Sequence, residues 1–334
     1  MTYSQRMLWA KELCRLFRID RYRICVRMPS NDVVFPDIGK GPWNRNYCAD
    51  PFLFSKDGAV WMFYETLDAH GKGVLGCLQE EDGSWKQVGI VLEEKFHLSY
   101  PQVFEEDGHV YMLPETTGAG AVILYEAEVF PHRWRPVANL IGRQLADATL
   151  LKRAGVWYLA GLERKTKKPE LWTAAKLTGP WQLHPESCHV NASARLRRCG
   201  GAFIEDEGRL WRIAQDCNGA YGRRLWRIPV LTLSPTEYRE GQAELFQADN
   251  WPPPADKRHT YNRLRTPKGL YEVIDRLDHP LKSWWARIMG AFSLVAHQLF
   301  RIRRKGGGLL VQVLGVQYRR GSVRRQPALW VIER

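Results

Sequence analysis

The strongest constraint on this chain is a repeat of about fifty residues. Asp50-Pro51-Phe52-Leu53-Phe54, then Gly58, then Trp61-Met62-Phe63-Tyr64-Glu65 recurs with identical internal spacing as Tyr100-Pro101-Gln102-Val103-Phe104, Gly108 and Tyr111-Met112-Leu113-Pro114-Glu115. A third copy, one residue tighter after its glycine, is Asp147-Ala148-Thr149-Leu150-Leu151, Gly155 and Trp157-Tyr158-Leu159. Two weaker copies start at Gly201-Ala202-Phe203-Ile204 and His259-Thr260-Tyr261-Asn262. Each unit runs apolar, turns at Asp-Gly or an equivalent, and returns rich in aromatics, which is the sequence form of a β-hairpin. β-type units of this period are the mark of propeller blades. Intervening pieces such as Val74–Leu78 and Ala121–Glu126 supply the remaining strands. The expected fold is therefore all-β, a five-bladed β-propeller with a C-terminal helix and short terminal extensions.

The ends fit around that ring. Arg21–Arg27 alternates basic and apolar residues and reads as a strand that completes the last blade. Residues 6–18 read as a short basic amphipathic helix. Leu281–Phe300 is helix-like and largely apolar, but Lys282 and Arg287 make it a poor membrane span. Trp284 and Trp285 at one end, with Arg301, Arg303, Arg304 and Lys305 after the other, suit either a membrane interface or the side of the propeller. The expected division is a basic extension over 1–20, the propeller over 21–276, and a helix-and-strand extension over 277–334.

Composition narrows the partners. A formal net charge of +13 calls for an anionic partner, and much of the excess sits at the two ends. No zinc-finger spacing, helix-turn-helix or RNA-binding signature accompanies it, so nucleic acid is not expected. The seven cysteines are scattered, odd in number and never in a C-x-x-C pair, which argues for reduced thiols and against a metal site. No cofactor is expected. The expected location is cytoplasmic, with peripheral attachment at the inner face of the membrane as an open alternative.

Hairpin geometry converts the repeat into a site. Folding about Asp57-Gly58 sets Asp50 opposite Glu65, and folding about Asp107-Gly108 sets Tyr100 opposite Glu115. Propeller blades bring the starts of their first strands to one mouth of the central channel. Glu65, Ser99, Tyr100, Arg195, Arg197, Gln215, Asp216, His259 and Asp275 are expected to bind substrate there. Asp50, Glu115 and Asp147 are the catalytic candidates, because two carboxyl groups across a sugar ring are the minimum apparatus for glycosidic chemistry. Asp50 is the candidate base, and Glu115 or Asp147 the acid, its pKa raised by burial and neighbouring carboxylates. Arg195 and Arg197 suit a carboxylate or phosphate on the ligand. A single acid at a strand start is also a common backbone cap, so the cluster carries more weight than any member.

The strings C-A-D-P-F-L-F, H-L-S-Y-P-Q-V-F with Y-M-L-P-E, L-Y-E-A-E-V-F-P-H-R-W, A-R-L-R-R-C-G-G, A-Q-D-C with Y-G, and H-T-Y-N resemble the N-terminal domain of plant glucosamine inositolphosphorylceramide transferases and their stand-alone bacterial relatives. That domain is similar to the five-bladed propellers of glycoside hydrolase families 43, 32 and 68, and the resemblance covers about residues 21–276. It implies a carbohydrate-active or glycolipid-assembly role. In family 43 a blade-one Asp is the base, which Asp50 matches, whereas the general-acid Glu has no clear match. In the plant proteins transfer is attributed to a separate C-terminal domain, absent from this sequence. Two readings stand: a glycosyl hydrolase or transferase in bacterial surface glycan or glycolipid metabolism, or a non-catalytic glycan-binding or scaffolding propeller beside a separate glycosyltransferase. A glycan, nucleotide sugar or glycolipid is the expected substrate under the first, and an anionic membrane surface a possible further contact.

Overall fold

The computed structural model describes residues 22–38, 47–68, 70–219, 221–246, 251 and 257–277, with the backbone of 300–305, 308–313 and 328–331. Two compact units emerge, 21–278 and the combination of 1–20 with 279–334. The helices expected at 6–18 and from Leu281 onward lie outside the described residues, save Phe300, which begins a strand. In the smaller unit Phe300–Lys305, Gly308–Val313 and Ala328–Val331 form a three-stranded antiparallel sheet.

The larger unit is the five-bladed propeller. Blade one is β3 (Cys48–Lys56), β4 (Ala59–Leu67), β5 (Gly73–Glu81) and β6 (Ser84–Leu92). Blade two is β7 (Ser99–Glu106), β8 (His109–Glu115), β9 (Val122–Val129) and β10 (Arg133–Ile141). Blade three is β11 (Leu145–Arg153), β12 (Val156–Glu163), β13 (Pro169–Ala174) and β14 (Gln182–Leu183). In blade four the inner strand is broken into β15 (Arg198–Cys199) and β16 (Ile204–Asp206), followed by β17 (Arg209–Gln215), β18 (Leu225–Leu233), β19 (Tyr238–Glu240) and β20 (Glu244–Leu245). Blade five combines β21 (Tyr261–Thr266) and β22 (Gly269–Leu277) with β1 (Tyr22–Arg27) and β2 (Val33–Val34) from the other end of the chain. β1 pairs with β22 from Tyr22 opposite Leu277 to Arg27 opposite Glu272. The Arg21–Arg27 segment thus closes the ring as its sequence pattern predicts.

Apolar cores fill the spaces between neighbouring blades. Phe63 and Leu75 of blade one meet Met112 and Trp134 of blade two, and Ile24, Val26 and Val273 of blade five meet Met62 and Tyr64 of blade one. Both faces of a blade are therefore covered, which is why its strands read as apolar runs with little alternation.

One expectation needs correction. The hairpins do turn at Asp57-Gly58 and Asp107-Gly108, with both residues of each pair at positive φ as a two-residue turn of this kind requires. Asp50 does not face Glu65, however: Ala49 does, and Ser99 rather than Tyr100 faces Glu115. A bulge puts one extra residue on the first strand between Ala49 and Phe52, and blades two and three repeat it. Asp50, Tyr100 and Asp147 sit in these bulges at φ of 50°, 52° and 49°. Non-glycine residues rarely adopt that conformation. Here it recurs at the same place in three blades.

Candidate functional site

The bulges fix where the carboxylates go. Asp50, Glu65, Glu115, Asp147, Asp216 and Asp275 are all buried, and so are Ser99, Tyr100, Gln215 and His259. Most are bound to one another or to the neighbouring blade. Asp275 on β22 accepts hydrogen bonds from the backbone N–H groups of His259 (3.0 Å), Thr260 (2.9 Å) and, across the seam, Asp50 (3.0 Å). Glu115 at the end of β8 does the same between blades two and three, accepting from the Asp147 N–H at 3.0 Å. These two acids are inter-blade clasps on the bulged backbone.

Asp147 is held harder still. Arg198 donates to both of its carboxylate oxygens, through Nε to Oδ2 and through NH2 to Oδ1 at 3.1 Å, while Gln215 donates to Oδ2 at 2.6 Å and to the Cys199 carbonyl at 2.9 Å. Arg198 also lies 3.8 Å from Glu115, which accepts from Thr117 at 2.8 Å and from Arg164 at 3.5 Å. Burial raises the Glu115 carboxyl, but Arg198 and the bonds from Asp147 and Thr117 outweigh it and leave the group below its ordinary value. Asp147 goes the other way, lifted by burial and by Glu115 and Asp50 despite Arg198.

The other half of the mouth is built around Asp50. Its Oδ1 accepts from the Thr260 hydroxyl and lies 3.8 Å from Nδ1 of His259, which is itself paired with Asp275. Its Oδ2 takes no hydrogen bond from any described residue. Burial and the nearby Asp275 raise the Asp50 carboxyl, opposed by His259, Thr260 and Arg198. His259 is pushed up to about 9: burial alone would lower it, but Asp275 and Asp50 prevail. Its ring stacks on Tyr22 at 4.4 Å and meets the edge of Tyr221 at 5.1 Å. Glu65 is raised to about 7, chiefly by burial and further by Asp50, although His97 pairs with it at 3.1 Å and the Tyr47 hydroxyl is 3.5 Å away.

Asp50, His259 and Asp275 bring ligand-type atoms within 4.8 Å of one another. Asp275 is already engaged, accepting from three backbone N–H groups and pairing with the His259 ring.

The remaining sequence candidates take different places. Tyr100 is fully buried: its hydroxyl bonds Thr149 (2.9 Å), accepts from the Gly201 N–H (2.7 Å), and its ring meets the Phe52 ring edge-on. Asp216 accepts from the Asn218 N–H and folds the loop after β17. Arg197 donates to the Lys167 carbonyl, and Arg195 is exposed. Sequence reasoning missed Arg198, Thr260, Tyr47, His97 and Tyr221. Tyr47 and His97 each stand three residues ahead of a bulge residue, Asp50 and Tyr100, a repeat-wide signal that could have found them. Tyr221, 42% exposed, sits on the loop after β17 with Arg198 5.1 Å from its ring centre, and an aromatic among glycines in a turn was its only sequence sign.

The fold is a five-bladed propeller of the type found in GH43 enzymes. Solved structures of a GH43 enzyme from Xanthomonas citri, one of them with xylose, superpose with a TM-score of 0.50 at 13% and 14% identity, covering 69% of this chain and 87% and 86% of theirs. That likeness concerns the fold. The chain belongs to the family described as glucosamine inositolphosphorylceramide transferase 1, N-terminal, whose model matches residues 31–268. Curated relatives of that name from Arabidopsis thaliana and Oryza sativa subsp. japonica are 33% and 34% identical over 58% and 60% of this chain. The chain spans only 27% and 28% of their lengths.

Proposed function

We propose that this chain is a carbohydrate-binding propeller that presents a sugar headgroup for glycosyl transfer, with Asp50 and Tyr221 as its sugar-facing residues. One observation carries the reading. Of Asp50, Glu65, Glu115, Asp147 and Asp275, the last four are each engaged through both oxygens by an N–H, a hydroxyl or a cation, and Asp50 keeps an oxygen without a partner among the described residues; Asp216, bonded through Oδ1 alone, folds the loop after β17. Glycosidic cleavage needs two available carboxyl groups, whereas binding a sugar hydroxyl needs one. Tyr221, a partly exposed residue whose ring meets His259, the neighbour of Asp50, supplies an aromatic of the kind on which sugar rings rest. The names of the plant relatives support a glycolipid headgroup of the inositolphosphorylceramide type as the ligand class.

A second reading rests on Glu65. A carboxyl held near 7 beside an Asp matches the acid partner that glycosidic chemistry requires, with Asp50 as base. The test separates them. Purified wild type, Asp50→Asn and Glu65→Gln are screened against glycans, glycolipid headgroups and nucleotide sugars, reading binding by calorimetry and turnover by product analysis. Binding without turnover in wild type, weakened at least tenfold in Asp50→Asn, is expected. Turnover in wild type that both variants abolish would replace this reading with the enzymatic one.

A further inference from the structure

Beside the mouth, on blade four, a cavity of about 500 Å³ is lined by Ser193, Ala194, Arg195, Leu196, Asn218 and Trp226. Two segments build it: the stretch leading into β15 and the turn that joins β17 to β18. Both are tied to the mouth. Arg195 is three residues from Arg198, and Asn218 three from Gln215, the two residues that hold Asp147. The two segments are also joined to each other, the Cys217 N–H donating to the Ala194 carbonyl at 3.2 Å.

The chemistry of the lining is one-sided. Arg195 has neither an ion pair nor a hydrogen bond to any described residue. No carboxylate lines the cavity. Residues 193–197 and 216–226 together carry Arg195, Arg197, Arg223 and Arg224 against the single acid Asp216, whose Oδ1 is already taken by the Asn218 N–H. A concave site that presents a guanidinium and no carboxylate is complementary to an anion, and a guanidinium free to form a fork is the group that recognises phosphate. The volume falls in the range of sites for small organic molecules, and Trp226, Leu196 and Ala194 give one wall an apolar face against which a ring can lie.

We infer that this cavity is a binding site for a sugar or cyclitol phosphate, with Arg195 taking the phosphate and the Trp226 wall the ring. This deepens the function proposed above: the mouth holds the sugar's hydroxyls, and the cavity holds the phosphate of the same or an adjoining unit. The two claims fail separately, because the mouth is tested through Asp50 and a neutral glycan, and the cavity through Arg195 and phosphate alone.

The experiment titrates the full chain with inorganic phosphate, myo-inositol and myo-inositol 1-phosphate at constant ionic strength, in wild type, Arg195→Gln and Arg195→Lys. Arg195 is exposed, so these variants should fold, and their thermal midpoints check that. Expected is binding of myo-inositol 1-phosphate at least tenfold tighter than either other probe, a loss of tenfold or more in Arg195→Gln, and partial recovery in Arg195→Lys, which keeps the charge without the fork. Equal binding of inositol and its phosphate, or full affinity in Arg195→Gln, would overturn the site. Inorganic phosphate binding as tightly as the inositol phosphate would overturn the role given to the ring wall.

Discussion

Arg198 meets both carboxylate oxygens of Asp147 inside the protein, and burial with Glu115 and Asp50 still raises that carboxyl to about 8. Burial raises its carboxyl, and Glu115 and Asp50 add to the rise, so the guanidinium is what opposes protonation. Breaking a buried pair from one side costs about 3–5 kcal/mol, because an uncompensated charge remains. Arg198→Met should therefore lose most stability near pH 10, where Asp147 is charged in the wild type, approaching that figure. At pH 6 the loss should be clearly smaller, since Asp147, raised to about 8, already carries a proton in the wild type and leaves no charge for the guanidinium to offset. Urea unfolding at the two pH values checks this. An equal loss at both would mean that packing of the Arg198 side chain, not charge, is what matters.

At the scale of strands, the bulge decides what the mouth looks like, and it explains how much of the site could be read in advance. Hairpin turns are local chemistry, and Asp-Gly dipeptides announced them. A bulge depends on which residue the neighbouring blade can clasp: the Asp50 N–H goes to Asp275 and the Asp147 N–H to Glu115, contacts between residues far apart in sequence. The pairing of Asp50 with Glu65 was therefore off by one residue while the turn was right. In blade four two extra residues, not one, intervene between the Cys199–Ala214 and Ile204–Trp211 pairs. That shift sets Arg198 opposite Gln215, so nothing local to the sequence could separate Arg198 from its neighbours Arg195 and Arg197. Gly201 in this irregular stretch has φ of 145°, and a Cβ there would come within 1.8 Å of the Tyr261 carbonyl. Its N–H ends on the Tyr100 hydroxyl, which links blade two to blades three and four. Tyr100→Phe should cost about 1–3 kcal/mol, the usual penalty for orphaning a buried donor. It should also speed hydrogen exchange at the Gly201 amide; unchanged exchange there would show that the amide finds another acceptor.

For the whole ring, the weak point of any propeller is where its two chain ends meet, and here that seam carries the buried charges. β1 closes blade five through β22, and the next contact around the ring runs from the Asp50 N–H to Asp275, the partner of His259. Closure and protonation are therefore linked. The folded protein raises His259 from 6.5 to about 9, so it binds a proton more tightly than the unfolded chain does. By linkage the resulting stabilisation is fully present below pH 6.5 and is lost as pH rises through about 9. Glu65, raised to about 7, contributes a loss in the same direction closer to neutrality, so the wild-type curve alone does not isolate His259. The difference between wild type and His259→Gln does. That difference should be largest near pH 6.5 and shrink between pH 8 and 10, leaving a pH-independent remainder from the lost stack with Tyr22. Thermal midpoints taken across that range measure it. A constant difference at every pH would mean that the imidazole seals the seam by packing alone, and that the charge on His259 has no part in holding the ring closed.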